Sequence, residues 1–230
     1  MNLIALESSS RHLSVALWRD GELSERAVDV PNGGSERLLP WIAELLSEAK
    51  LALSDLDGVA FGAGPGGFTG LRLSCGLAQG LGLGLDLPVL AVPTLEALAL
   101  ASGADKAFAC LDARMDEVYG AAYLVHGDEL DTVIAPFCAP PSAVTIPPGS
   151  GWLGCGDGFA SHPERLRDVL GNALIGVRPG LWPTAAAVAR LAAPRLARGE
   201  GGDAGSAAPL YVRDKVALTT AERLARGGLK

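Results

Sequence analysis

Three groups of residues in this sequence could carry chemistry: a glycine-rich run, two acids that close apolar segments, and three histidines. The run FGAGPGGFTGLRLSCG, residues 61–76, sets Gly62, Gly64 and Gly67 in the order GxGxxG between a strand-like and a helix-like segment. That is the context in which a bare loop cradles pyrophosphate. A dinucleotide loop, however, should follow the first strand and be answered by an acid at the end of the next one. Here the run follows the fourth apolar segment, and the next strand ends in Pro93-Thr94. No Lys-Ser or Lys-Thr pair closes the loop and its first cation is Arg72, so a Walker A reading lacks its lysine.

Glu7 closes LIALE and Asp112 closes AFACLD. Acids at the ends of equivalent first strands could hold a hydrated magnesium ion on a nucleotide between two lobes, with Gly64 and Gly66 beside its phosphates. They could equally cap turns. His12, His126 and His162 show no HExxH or HxxxH spacing, and no GxSxG elbow is present, so neither a zinc site nor a serine hydrolase is expected. Cys75, Cys110, Cys138 and Cys155 form no CxxC pair and read as reduced, packed thiols.

The elements that must position these residues come in two series. LIALESSS reads as a buried strand and HLSVALWRDGEL as a strand turning at Asp20-Gly21, with a third strand in LSERAVDV. In SERLLPWIAELLSEAKL, Leu38, Ile42, Leu45 and Ala49 share a helical face that Leu39 and Leu46 extend, with Ser35 as N-cap and Pro40 in the first turns. A strand in GVAFGAG, a long small-residue helix to about Asp86 and a buried strand in PVLAVPT complete a β-β-β-α-β-α-β order. The second series opens with AFACLDARMDEVYGAAYLVHGDEL. Setting Leu6-Glu7 against Leu111-Asp112 aligns Val15–Trp18 with Gly120–Tyr123, the mark of an internal duplication. PFCAPPSAVTIPPGSG and RGEGGDAGSAAP read as connections; ERLRDVL, ALIGV, TAAAVARLAAPRLARG and PLYVRDKVAL make a thinner second half.

The glycines of the long helix need their own account. Gly66, Gly70, Ser74, Ala78 and Gly82 recur every four residues, and Gly76, Gly80 and Gly84 form a second small stripe on the other side. Interior Gly70, Gly76, Gly80 and Gly82 together give up roughly 3–4 kcal/mol of helix propensity relative to alanine. Close approach of another backbone on each side would offset this, one neighbour being the sheet and the other a partner helix.

Composition narrows the function. A 230-residue chain that is 49% hydrophobic can bury one large core or two small ones. The net charge of −7 argues against a surface that grips nucleic acid unaided, and MNLIALESSS is neither a signal peptide nor long enough to span a bilayer. A cytoplasmic protein with no membrane contact is expected.

AFGAGPGGFTGLRLSCGLAQGL resembles the GPGSFTGLR signature of the bacterial TsaB (YeaZ) family, with Gly67 where the family has Ser. The similarity extends to SERLLPWIAELL, LDARMDEVYGAAY, GCGDG at 154–158 and PLYVRDKVA. It implies an actin-like ATPase fold (ASKHA, ribonuclease H-like) with two duplicated lobes, here residues 1–104 and a reduced second lobe, 105–230. It implies a non-catalytic role in forming threonylcarbamoyladenosine beside the tRNA anticodon, with the catalytic paralogue TsaD and the ATPase TsaE as partners, a homodimer when alone, and tRNA touched only indirectly. No tightly bound cofactor is implied, and ATP or ADP would bind weakly at most. The implied interface combines Leu38, Leu39, Ile42, Leu45 and Leu46 of the first helix with Gly70, Ser74, Ala78 and Gly82 of the second. Two departures weaken independent catalysis: Gly34-Ser35 stands where relatives have His-Ser or His-Thr, and Glu7 where many have Asp. The rival reading is a free-standing ATP-dependent phosphotransferase using Glu7 and Asp112.

Overall fold

A computed structural model describes residues 1–30 and 34–213. The chain opens with three strands, β1 (Asn2–Glu7), β2 (His12–Arg19) and β3 (Glu22–Asp29), then runs through α1 (Ser35–Ala49), β4 (Gly58–Gly64), α2 (Phe68–Leu85) and β5 (Val89–Pro93). Helix α3 (Thr94–Ala101) leads into β6 (Lys106–Arg114), β7 (Glu117–His126) and β8 (Glu129–Ala139). There follow β9 (Trp152–Cys155), the short α4 (Gly158–Ser161) and α5 (Pro163–Leu170), β10 (Leu174–Arg178) and α6 (Ala185–Ala197).

The strands make two five-stranded sheets, ordered β3-β2-β1-β4-β5 and β8-β7-β6-β9-β10. In each, an antiparallel meander is extended by two parallel strands, so the pattern that aligned Leu6-Glu7 with Leu111-Asp112 is a topological repeat. Central β1 and β4 are buried on both faces and are correspondingly apolar, whereas edge strand β3 alternates. The helices are shorter in the second half: α4 and α5 have 4 and 8 residues where α1 and α2 have 15 and 18.

Two layers cover the first sheet. On one face Leu38, Ile42, Leu45 and Leu46 of α1 and Cys75 and Ala78 of α2 pack on Ile4, Leu6, Val15 and Phe61. The other face is closed by α6, whose Val188, Leu191 and Ala192 sit on Leu3, Ala5, Ala60 and Val92. Conversely α3, which follows β5, buries Leu95 and Leu98 against Ala109, Leu111 and Tyr123 of the second sheet. The two crossing helices meet at an ion pair, Arg195 Nη2 to Glu96 Oε2 at 2.6 Å, with both side chains largely buried.

Several expectations are corrected. Helix α3 is absent from the sequence reading because TLEALALA is apolar on nearly all sides, as a helix enclosed between two sheets must be, and so lacks a 3.6-residue alternation. Ser35 is the first helical residue, not the cap; Gly34, at φ 89°, takes the cap position. PFCA is the end of β8, an edge strand in which Pro136 falls at a register shift between Ile134 and Phe137 and has no ladder partner. The Gly-rich RGEGGDAGSAAP is no free linker: Gly202 exchanges backbone hydrogen bonds with Val89, and Ala204 is buried beside Gly82. The last segment is neither helix nor strand through Arg213, and the remainder of PLYVRDKVAL lies outside the described residues.

Candidate functional site

A cleft of about 640 Å³ separates the two sheets. Its first wall is the β1–β2 turn (Ser8, Ser9, Ser10, Arg11) with the start of α2 (Gly66 to Leu71). Its second wall is Leu111 to Arg114 with Tyr119 and Asp157, and Leu210 to Arg213 form the rim.

The glycine-rich loop owes its bare backbone to this first wall. A Cβ on Gly66 would sit 2.6 Å from the Ser9 carbonyl oxygen, and one on Gly70 would collide with that of Ser8. The space is filled instead by hydrogen bonds: Gly67 N–H donates to Ser9 O at 2.6 Å and Ser8 Oγ donates to Gly70 O at 2.8 Å. Gly64, at φ +116°, lies where a Cβ would approach the Leu210 carbonyl to 2.7 Å. The second half repeats the device. Gly156, at φ +103°, follows β9, and Gly158 lets α4 approach Cys110 of β6. In the first half the helix after the fourth strand docks on the backbone just past the first strand, and in the second half on the first strand itself.

Glu7 is fully buried and is not among the residues lining the cleft. Its Oε1 accepts from Ser9 N–H at 2.6 Å, and its Oε2, which finds no partner among the described residues, lies against the bare Cα of Gly62. Burial pushes its carboxyl pKa above the ordinary range, opposed by the Ser9 hydrogen bonds. Asp112 does line the cleft; its carboxylate accepts from Arg114 N–H at 2.8 Å, and its own N–H donates to Asp157 Oδ1 at 3.0 Å. Asp157, which sequence reasoning did not single out, is also raised, by burial first and by the neighbouring Asp112 charge. Its only signal in the sequence was its place in GCGDG. Among the described residues both cleft carboxylates therefore belong to the second half. Glu7 and Asp112 do not form a magnesium site in this arrangement, because one is sealed beneath the loop and the other faces the cleft. Among the described residues no three His, Cys, Asp or Glu side chains converge on a common point.

The two helices of the first sheet place the remaining candidates. Leu38, Ile42, Leu45 and Leu46 turn inward, and of the α1 candidates only Leu39 is outward, 55% exposed. On α2, Ser74 and Ala78 are fully buried and a Cβ on Gly82 would meet Ala204 and Val89 at 2.6 Å. The stripe Gly70, Ser74, Ala78 and Gly82 is thus the sheet-facing side and leaves no surface for a partner. The opposite stripe does: Gly76, Gly80 and Gly84 have nothing within 4 Å, and Leu83 between them is 65% exposed. Arg72 is the one charge in the 18-residue helix.

Comparison with known proteins places this architecture. The family model for TsaD, tRNA N6-adenosine threonylcarbamoyltransferase, matches residues 32–151. The tRNA threonylcarbamoyladenosine biosynthesis protein TsaB of Escherichia coli K12 is 32% identical over 229 residues, covering 94% of this chain and 96% of its own length. TsaB of Haemophilus influenzae is 42% identical over 123 residues, 52% of each chain. The solved structure of YeaZ from Pseudomonas aeruginosa superposes with a TM-score of 0.84 at 38% identity, covering 91% of this chain and 99% of that one. Agreement over nearly the whole length, in sequence and in both sheets, assigns the chain to the TsaB (YeaZ) family.

Proposed function

We propose that this chain is a non-catalytic subunit of the machinery that places a threonylcarbamoyl group on adenosine beside the tRNA anticodon. The fold is read as actin-like, of the ASKHA and ribonuclease H-like kind, with a first lobe of residues 1–104 whose sheet is closed by α6 and a reduced second lobe on which α3 packs. The chain binds the catalytic paralogue TsaD, and through that complex the ATPase TsaE, in the cytoplasm; alone, it pairs with itself. The acidic net charge of −7 leaves tRNA contact to the partner.

The observation that carries this reading is the outward face of α2. Three helical glycines without a neighbour and a largely exposed leucine are unfavourable in an isolated chain. They suit the close approach of another helix, for which Leu39 of α1 adds an apolar contact. The interface is accordingly assigned to Leu39, Gly76, Gly80, Leu83 and Gly84 rather than to the inward stripe. Reconstituted tRNA modification with TsaD and TsaE is expected to need this chain. Gly80→Leu and Leu83→Arg should each remove co-purification with TsaD without lowering the melting temperature of the isolated chain. Normal co-purification by both variants overturns the assignment.

The cleft and its two carboxylates favour one second reading, an ATP-dependent phosphotransferase. Calorimetric titration of the isolated chain with Mg-ATP separates the two: micromolar affinity supports the phosphotransferase, and absence of heat supports the subunit.

A further inference from the structure

The cleft is crossed at its rim by a segment that belongs to neither sheet. Leu210 N–H donates to Ala63 O at 2.7 Å, at the end of β4. Its carbonyl occupies the space left open by Gly64. Tyr211 stacks on Phe68 with ring centroids 6.2 Å apart, and its hydroxyl accepts from Arg72 Nε at 3.3 Å. These contacts are all with the first half of the chain.

Two residues on, the contacts are all with the second half. Arg213 Nη2 donates to Glu117 Oε2 at 2.6 Å and to the Ala113 carbonyl at 2.9 Å, with its side chain only 14% exposed. These partners flank the β6–β7 turn, where Arg114, Met115 and Asp116 hold φ of 60°, 57° and 64° in succession. Three consecutive non-glycine residues in the left-handed region cost energy that the surrounding structure must offset. Arg213 ties both flanks of the turn, and Arg165 Nη1 holds Asp116 Oδ2 within it at 2.7 Å.

We propose that residues 210–213 are a strap that latches the two halves across the cleft, with Arg213 as the latch, and that its release opens the cleft and loosens the start of α2 together with the β6–β7 turn. Charge-assisted hydrogen bonds at a half-buried site are strong enough for this, and the segment is short enough that slack at one end is felt at the other. A tail that merely lies on the surface would show no such coupling. The cleft's width is on this view set from outside both sheets.

Hydrogen exchange on the full chain tests the proposal, comparing Arg213→Ala, Glu117→Gln and Tyr211→Ala with the parent. Rates are read in peptides spanning residues 62–72 and 111–120, each taken relative to core strand β2 so that a general loss of stability divides out. Each variant is expected to speed exchange about tenfold at both ends, including the end it does not touch. Acceleration confined to each variant's own end overturns the strap. Glu117→Gln breaks the latch pair without altering Arg213, so a folding defect of one variant cannot decide the result.

Discussion

Replacing Gly76 and Gly80 together by alanine should stabilise the isolated chain. Both lie inside α2, and a Cβ at either would meet nothing within 4 Å. Each substitution therefore recovers about 0.8–1 kcal/mol of helix propensity with no packing cost, roughly 2 kcal/mol for the pair. For a chain of this size that raises the melting temperature by about 3–8 °C. Gly70→Ala on the same helix is the control. It gains the same propensity, but its Cβ would enter the Ser8 carbonyl, backbone that cannot move without shifting β1. Overpacking there costs about 1–3 kcal/mol or more, so this variant should melt lower than the parent. Thermal and urea unfolding at two protein concentrations separate intrinsic stability from self-association. A double variant that melts at or below the parent would refute the reasoning, since the glycines would then be required within the monomer rather than at a surface that another helix meets.

Further tests bear on the buried charges. Because Glu7 has a raised pKa when folded, the native state binds more protons than the unfolded chain between the reference value of 4.5 and the raised one. Its contribution is full below pH 4.5 and is lost as pH rises through the folded pKa. Glu7→Gln should therefore stabilise the protein at neutral pH, and the advantage should shrink as pH falls toward 4; an equal effect at both pH values would contradict this. Glu96→Gln leaves the Arg195 guanidinium without its carboxylate between α3 and α6 and should cost about 2 kcal/mol by urea unfolding. Adding Arg195→Met should recover most of that loss, and independent, additive effects would deny the coupling.

Much of the architecture is legible in the residues. A short apolar run marks β1, the alternation of HLSVALW marks β2, apolar periodicity marks α1, and the Leu6-Glu7 to Leu111-Asp112 alignment marks a duplication that the two sheets of matching order express. The helix of small residues has two bare flanks in sequence, and the one expected to meet a partner, Gly70 to Gly82, is the one that meets the sheet. That depends on where Ser8 and Ala204 lie, residues far from α2 in the chain. The same limit applies to Glu7 and Asp112. They hold matching strand positions, but Gly62 gives Glu7 a place to turn inward, whereas Asp112 is held toward the cleft by Arg114. Helix α3 escaped because burial on all sides erases the pattern by which helices are recognised.

The return of α6 to the first sheet has a consequence for synthesis on the ribosome. Leu3, Ala5, Ala60, Leu90 and Val92 are made within the first 100 residues, but the helix that covers them ends at Ala197. Until then one face of a nearly complete sheet stays open to water, a state prone to aggregate. The two halves accordingly mature together, as a late and non-local closure, and a fragment ending near residue 104 should be poorly soluble while one that retains α6 in trans should rescue it.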